Sequence, residues 1–135
     1  MKKSIILVLA AAVVIGGVVG LYQFNKKVPT LDNVTADFTL SADDLFAEFD
    51  DNENAATSKY QGKIIEVNGQ VARTKIDTSN FNVILKAKGS MMGGINCSLR
   101  DQDTSPPSKG QTVTIKGECR GFLMDVVLNN CVIIE

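Results

Sequence analysis

Two hydrophobic patterns divide the chain: a long apolar run near its start and alternating runs after residue 62. Residues 4–25 carry no charge, and residues 4–24 are almost wholly apolar. As an α-helix this run rises by about 31 Å, which matches a bilayer core of roughly 30 Å. Tyr22 and Phe24 then fall at an interface, where aromatic rings prefer to lie. The pattern predicts a transmembrane signal anchor over residues 1–27.

The alternative for this segment is a signal peptide that is cleaved. We favour the anchor because the apolar run is long for a signal peptide. In addition, a cut after Gly16 or Gly20 would place Val14 or Val18 at the third position before it, and valine makes a weak cleavage site there. Lysines flank both ends, so the positive-inside rule is nearly balanced, and the short N-terminal tail with its α-amine favours an N-terminus inside. We therefore expect a single-pass protein of the cytoplasmic (inner) membrane, with the rest of the chain outside the cytoplasm.

A stripe of small residues runs along the predicted helix. Ala12, Gly16 and Gly20 recur at four-residue spacing. This spacing occurs at helix-dimer faces, but small residues are also simply frequent in membrane helices, which is the interpretation we favour.

An acidic segment follows the anchor. Residues 28–37 are predicted to be an extended linker, since Pro29 disfavours a helix. Ser41 is a good helix N-cap, and Asp44 stands at the third helical position, as in a capping box. An apolar stripe of Leu45, Phe46 and Phe49 follows. We expect a helical segment within residues 38–61, either as one helix or with a second helix beginning after Asp50.

After residue 62 the hydrophobic period becomes two, which is typical of strands with one buried face. Five such runs cover residues 62–72, 81–88, 95–100, 113–120 and 126–134. Two of them share a frame in which glycine recurs after seven residues, at Gly62 and Gly69 and again at Gly110 and Gly117. A glycine within a strand permits the bend or bulge that a small closed barrel requires. The sequence predicts a mainly β fold: a five-stranded barrel preceded by the short helical segment and the transmembrane helix.

Three stretches carry a resemblance to a known family. They read LFAEFDDNENAATSKYQGKIIEVNGQV, then GGINCSL, then KGQTVTIKGECRGFLMDVVLNNCVI. Together they resemble the bacterial tRNA-anticodon-like OB-fold family over residues 38–135. The resemblance implies an OB-fold domain, and it transfers no catalytic residue. One departure is the stretch 101–111, where an OB-fold often has a helix but Pro106 and Pro107 predict a loop.

The composition excludes several kinds of site. The chain has no His, which removes Ser–His and Cys–His nucleophile pairs and every His-containing zinc site. Three Cys are too few for a zinc site built from four cysteine ligands, and no Gly-rich phosphate loop is present. We expect no enzyme, no cofactor and no metal.

Charge is unevenly distributed, and this suggests a binding face. Residues 32–53 hold eight acids and no Lys or Arg, whereas residues 59–135 hold ten basic and seven acidic residues. An OB barrel binds ligands on the face of its second and third strands and with the flanking loops. The candidate ligand-binding residues there are Arg73, Lys75, Lys86, Lys88, Asn96, Ser98 and Arg100. The competing interpretation is an ordinary solvated strand surface, which we favour because aromatic residues for base stacking are few.

The three cysteines fall on the third, fourth and fifth predicted strands. If the last hairpin turns at Asp125, then Cys119 lies opposite Cys131, and Cys97 could also approach Cys131. A disulfide between Cys119 and Cys131 would stabilise the domain by about 3 kcal/mol outside the cytoplasm. The alternative, which we slightly favour, is three buried thiols that pack as small hydrophobic groups.

These patterns converge on a binding protein. We expect a membrane-anchored, extracytoplasmic, non-catalytic binding or scaffold module. Its partner would be an envelope protein, an oligosaccharide or a small ligand. The alternative is a single-stranded nucleic-acid-binding domain held at the cytoplasmic membrane face, whose affinity would fall steeply with salt.

Overall fold

The computed structural model describes residues 1–25, 30–78, 80–99 and 105–134. The predicted flanking residues Lys26 and Lys27, and the candidate site residue Arg100, lie outside the described residues. The helices are α1 (Lys2–Phe24), a short 3-10 helix (Leu31–Asn33), α2 (Ala42–Asp51) and α3 (Glu53–Tyr60). The strands are β1 (Phe38–Ser41), β2 (Ile64–Ile76), β3 (Phe81–Lys86), β4 (Gly94–Leu99), β5 (Thr112–Leu123) and β6 (Asp125–Ile133).

Helix α1 is apolar and long enough to span a membrane. It has 23 residues, and none of its side chains is buried against the rest of the chain. It is the one helix with these properties in the part of the chain that the structure describes. The predicted helix is therefore present, with its apolar surface unpacked.

Five strands close into a barrel, as the alternating pattern predicted. The order is β2-β3-β4-β6-β5, and β5 pairs back onto β2. The neighbours are antiparallel except for β4 and β6, which are parallel. The ladders shift register at several points, one of them at Gly117 between Lys116 and Glu118. Such bulges let long strands bend around a small barrel.

The helical segment forms a lid over one end of this barrel. The Ser41 hydroxyl accepts a hydrogen bond from the Asp44 N–H at 3.1 Å, which begins α2 as expected for an N-cap. The Asn52 side chain accepts from the Ala55 N–H at 3.1 Å and begins α3. The acidic segment is therefore two short helices rather than one. Helices α2 and α3 together cover this end of the barrel.

The apolar face of α2 completes the barrel core. Leu45, Phe46 and Phe49 are buried together with the inward side chains of all five barrel strands. Phe122, near the end of β5, lies 5.8 Å from Phe46 and 5.7 Å from Phe49 between ring centroids. Tyr60 of α3 is fully buried against the same group. This contact joins the lid helices to the β5–β6 hairpin.

The segment before α2 contains structure that the sequence pattern did not indicate. Phe38–Ser41 is a strand, β1, which adds to the barrel by pairing in parallel with β2. Within the expected linker, Leu31 is buried, and the Lys116 ammonium donates to the Val34 carbonyl at 2.8 Å. The chain is therefore fixed to the barrel from Leu31 onward.

Candidate functional site

An open groove of about 900 Å³ runs along one side of the barrel near the lid. Its walls come from the start of α2, the middle of β2, the end of β3 and the loop that joins β3 to β4. Gly69 of β2 makes the close approach of α2 possible. A Cβ atom at Gly69 would lie only 2.8 Å from the Ala42 Cβ atom. The groove is thus shaped by how closely the lid helix docks on the barrel.

Four cationic residues line this groove: Arg73, Lys86, Lys88 and Lys109. Arg73 is paired with Ile84 across β2 and β3, and its side chain is exposed on the outer face of the sheet. Lys109 reaches the groove because the chain next to it is pinned to β2. The Gly110 N–H donates to the Val71 carbonyl, and the Val71 N–H donates to the Gln111 carbonyl, both at 2.8 Å.

One acid, Asp43 of α2, lies among these cations. Its carboxylate accepts a hydrogen bond from the Lys88 backbone N–H at 2.8 Å, which fixes the end of β3 against the helix. The Lys88 ammonium is 3.9 Å from the same carboxylate, and the Lys88 side chain is 91% exposed. Such an exposed ion pair is weak, so the Lys88 cation stays available to a ligand. Among the described lining residues, positive charge therefore predominates by four to one.

Amide side chains cover the floor of the groove. The Asn68 amide donates to the Thr114 hydroxyl at 2.9 Å, and the Gln70 amide donates to the Gly110 carbonyl at 3.0 Å. These bonds hold both amides in place, where they can exchange further hydrogen bonds with a ligand. The floor is suited to a polar ligand that carries negative charge.

The remaining wall is apolar but not aromatic. Met91 and Met92, in the loop between β3 and β4, line the groove, and both are highly exposed. The loop is fixed at its far side, where the Gly94 N–H donates to the Asp125 carboxylate at 3.0 Å. No aromatic side chain is among the described lining residues. The groove therefore has cations and hydrogen-bonding groups but no platform for base stacking.

The structure places some of the predicted binding residues in the groove and others outside it. Arg73, Lys86 and Lys88 line the groove. Lys75, Asn96 and Ser98 lie outside it, although the strand register places them on the same outer face of the sheet.

The sequence analysis did not predict two parts of the groove lining. Lys109 follows a proline-containing loop, and Asn68 and Gln70 belong to the first barrel strand rather than the second or third. The period-two alternation could have identified the two amides as outward-facing. No sequence signal identified Lys109.

The cysteines take a different register from the one expected. The β5–β6 hairpin turns at Met124 rather than at Asp125, and its bulges shift the pairing further, so Cys119 lies opposite Leu128. Cys97, Cys119 and Cys131 are all buried free thiols. Burial raises the pKa of Cys119, and burial with the neighbouring Cys97 thiol raises that of Cys131 well above its ordinary value. The structure therefore brings Cys131 next to Cys97 and not next to Cys119.

The chain is similar to one protein family and to solved structures. The family model described as tRNA_anti-like matches residues 1–133. One similar solved structure is that of a "putative nucleic acid-binding lipoprotein" from Klebsiella pneumoniae subsp. pneumoniae MGH 78578. It is 21% identical, with 72% of this chain and 91% of that chain covered and a TM-score of 0.57. A second is the S. pombe Stn1-ten1 complex, at 18% identity, 53% and 58% coverage and a TM-score of 0.40. No curated protein matches the sequence.

Proposed function

The chain belongs to the tRNA_anti-like family, and from that premise we propose that it is a membrane-anchored, non-catalytic binding module. In this proposal, residues 1–27 anchor the chain, residues 28–37 connect it, and the OB domain of residues 38–135 lies outside the cytoplasm. Its groove binds an anionic ligand. The observation that carries the proposal is the excess of four cations over one acid around the groove.

The lining of the groove favours an acidic oligosaccharide of the envelope as the ligand. Sugar hydroxyls would bond to the fixed amides of Asn68 and Gln70, while carboxylate or phosphate groups would meet the cations. Single-stranded nucleic acid usually also needs aromatic side chains on which its bases stack, at about 1–3 kcal/mol per base. The described lining offers none.

A non-catalytic role is favoured by the same chemistry. The chain has no His to activate a nucleophile. The thiols are buried, and the raised pKa values of Cys119 and Cys131 oppose thiolate formation.

The second candidate is single-stranded nucleic-acid binding on the cytoplasmic face. The Klebsiella pneumoniae neighbour is described as a "putative nucleic acid-binding lipoprotein", and its likeness to this chain is one of fold. The basic groove could bind a phosphate backbone, in which case log affinity would fall with log salt concentration by about 0.7 per neutralised phosphate.

Direct binding tests the groove. The full chain in a neutral detergent is titrated with two fluorescent probes, an oligogalacturonate and a single-stranded oligothymidylate. The Lys86→Gln/Lys88→Gln variant should bind the preferred probe about tenfold more weakly, while Lys75→Gln, a cation on the same sheet but outside the groove, should bind it normally. Equal weakening by both changes, or no binding of either probe at low salt, would contradict the groove as the site.

Topology decides between the two candidates. Ser105 is exposed, so a Ser105→Cys variant offers one reactive thiol to a membrane-impermeant maleimide, with the unsubstituted chain as control. Labelling of intact cells supports the extracytoplasmic module. Labelling only after lysis places the domain inside and favours nucleic acid.

A further inference from the structure

Two neighbouring loops at the lid end of the barrel expose four large apolar side chains, which we call the apolar tip. They are Met91 (99% exposed), Met92 (80%), Leu123 (81%) and Met124 (89%). The hydrogen bond between the Gly94 N–H and the Asp125 carboxylate, at 3.0 Å, ties the two loops together. Three of the four methionines in the sequence therefore lie in one exposed cluster. Exposed apolar clusters of this kind mark interaction surfaces.

A membrane-spanning α1 would keep the barrel close to a bilayer. Helix α1 ends at Phe24, and the chain is fixed to the barrel again at the buried side chain of Leu31. The six residues from Asn25 to Leu31 can span at most about 20 Å. A surface on so short a tether is present at a high effective concentration, whereas a soluble partner must be captured from solution. The bilayer is therefore the apolar environment that the tip meets most often.

The tip can touch that bilayer while the barrel stays tethered. The tethered part of the barrel is marked by the Lys116 ammonium, which donates to the Val34 carbonyl at 2.8 Å. From Lys116, β5 runs seven residues further to Leu123, which is at most about 23 Å. This length is close to the reach of the segment between α1 and Leu31. A barrel that tilts towards the bilayer therefore brings the tip to the lipid headgroups without stretching the chain.

Charge beside the tip is nearly balanced, so a contact with lipid depends on the apolar side chains. Four cations line the groove next to the tip. Helix α2 carries four aspartates, Asp43, Asp44, Asp50 and Asp51. Its one glutamate, Glu48, is paired with Lys59 at 3.0 Å. Attraction to anionic lipid needs clustered positive charge, and a surface with both signs in equal number lacks it. The charge of the lipid headgroups should therefore have little effect on the contact.

We infer that the apolar tip inserts into the interfacial region of the bilayer in which α1 is anchored. Apolar groups inserted in this way lie about 5–10 Å deep, at the boundary between headgroups and acyl chains. The unbranched, flexible side chain of methionine adapts well to an irregular apolar environment. Because Met91 and Met92 also line the groove, the docked barrel holds the groove at the membrane surface. The inference rests on the anchor of the proposed function and not on the ligand of the groove.

Site-directed spin labelling tests where the tip lies. Met91→Cys and Ile76→Cys variants of the full chain are labelled and incorporated into phosphatidylcholine nanodiscs, whose two faces are both open to water-soluble reagents. Ile76 is the matched control because it is apolar and 76% exposed, and it pairs with Phe81 at the start of β3, whereas the loop of Met91 follows the end of β3. The three native thiols are buried and must stay unlabelled, which verifies folding.

The two labels should differ in their accessibility to two relaxation agents. The Met91 label should be relaxed more by oxygen, which dissolves in lipid, than by a nickel complex that stays in water, and the Ile76 label should show the reverse. Equal access of the nickel complex to both labels would overturn the inference. Equal protection of both labels would overturn it too, because the label itself would then cause the contact. A chain that elutes apart from the discs would contradict the anchor and the inference together, so the two failures are distinguishable.

Substitutions at the second tip loop test whether apolar contact holds the barrel to the lipid. Each methylene group withdrawn from water favours the inserted state by about fourfold. In the labelled Met91→Cys chain, Leu123→Ala/Met124→Ala should therefore lower the ratio of inserted to free tip by at least about tenfold. Asp50→Asn/Asp51→Asn should leave the label protected, as should the addition of phosphatidylglycerol to the discs. Protection that survives Leu123→Ala/Met124→Ala, or that appears only with phosphatidylglycerol, would overturn the inference in favour of a contact made by the groove cations.

Discussion

Gly117 occupies a tightly packed point of the barrel, at the bulge where β5 meets β6. A Cβ atom there would lie 2.5 Å from the Cys131 sulfur, 3.1 Å from the Leu128 Cβ atom and 3.3 Å from the Asn129 carbonyl oxygen. Its backbone is outside the left-handed region, so a Gly117→Ala change tests packing and not backbone strain.

The size of the effect follows from these distances. Heavy atoms in contact are about 3.5–4.0 Å apart, so the sulfur would have to move by roughly 1 Å within a closed barrel. Overpacking of this kind costs about 1–3 kcal/mol. Alanine also lowers the conformational entropy of the unfolded chain, which offsets about 0.4–1 kcal/mol of this loss of stability. We expect Gly117→Ala to lower the free energy of unfolding by about 1–2 kcal/mol.

A double-mutant cycle with Cys131→Ala isolates the contact. Removing the sulfur leaves the new methyl group with neighbours at 3.1 and 3.3 Å, which need to shift by only a few tenths of an ångström. Gly117→Ala should therefore cost much less in the Cys131→Ala background, with a coupling energy of about 1–2 kcal/mol.

Urea denaturation of the full chain in a mild detergent measures all four variants. The chain has two Tyr and no Trp, so a Tyr22→Phe background leaves the fluorescence of buried Tyr60 as the only intrinsic probe of the barrel. Additive costs, within about 0.3–0.5 kcal/mol, would refute the reasoning, as would a Gly117→Ala variant as stable as the parent.

Three further predictions concern the thiols, the lid and pH. Cys131 should react with Ellman's reagent only after unfolding, because burial and the adjacent Cys97 thiol raise its pKa; rapid reaction of the folded chain would contradict this. Ser41→Ala should cost about 1 kcal/mol in the same denaturation, since the cap of α2 is lost, and Ser41→Asp should retain most of it. Burial opposes ionisation of Glu48, but the Lys59 ammonium, which donates to the Glu48 carboxylate at 3.0 Å, outweighs it and lowers the pKa of Glu48. The small stabilisation should therefore be present at neutral pH and be lost as the pH falls below about 4, and Glu48→Gln should remove that part of the pH dependence.

The barrel was predictable because each of its strands has one face in a single core. Alternation places Val67 and Leu85 inward, and the structure buries both. Strand β1 was missed because four residues are too few for a periodic pattern, and it is a strand only through its pairing with β2. A short element that depends on a tertiary neighbour carries little signal of its own.

The spacing of the glycines predicted where unusual strand positions lie, but not why glycine is needed at each. Equal spacing identified Gly69 and Gly117 as unusual strand positions, and a bulge does occur at Gly117. What the spacing could not provide is the neighbour that each glycine makes room for: Ala42 of the lid at Gly69 and the Cys131 sulfur at Gly117. Those neighbours come from other parts of the chain.

An error of one residue in the predicted centre of the β5–β6 turn was enough to change the predicted pairing of the cysteines. Aspartate is a common turn residue, so Asp125 was the natural centre. The turn falls one residue earlier, and Asp125 is instead used to hold the loop of Met91 and Met92. Moving the centre by one residue changes every cross-strand partner by two, and with the bulges this takes Cys131 away from Cys119.

The position of α2 determines which outward-facing side chains line the groove, and the alternation of apolar and polar residues could not predict this. The alternation predicts which side chains point outward. The groove, however, exists only where the lid helix and the β3–β4 loop lie beside the sheet. Lys86 therefore lines the groove and Lys75 does not. The acidic helix could have covered and neutralised the basic face. Of its acids only Asp43 lines the groove, while Asp44, Asp50 and Asp51 are exposed on the helix outside it. The positive charge of the groove is therefore only partly compensated by the helix. Because exposed charges are screened by salt, ligand binding in the groove should weaken as ionic strength rises.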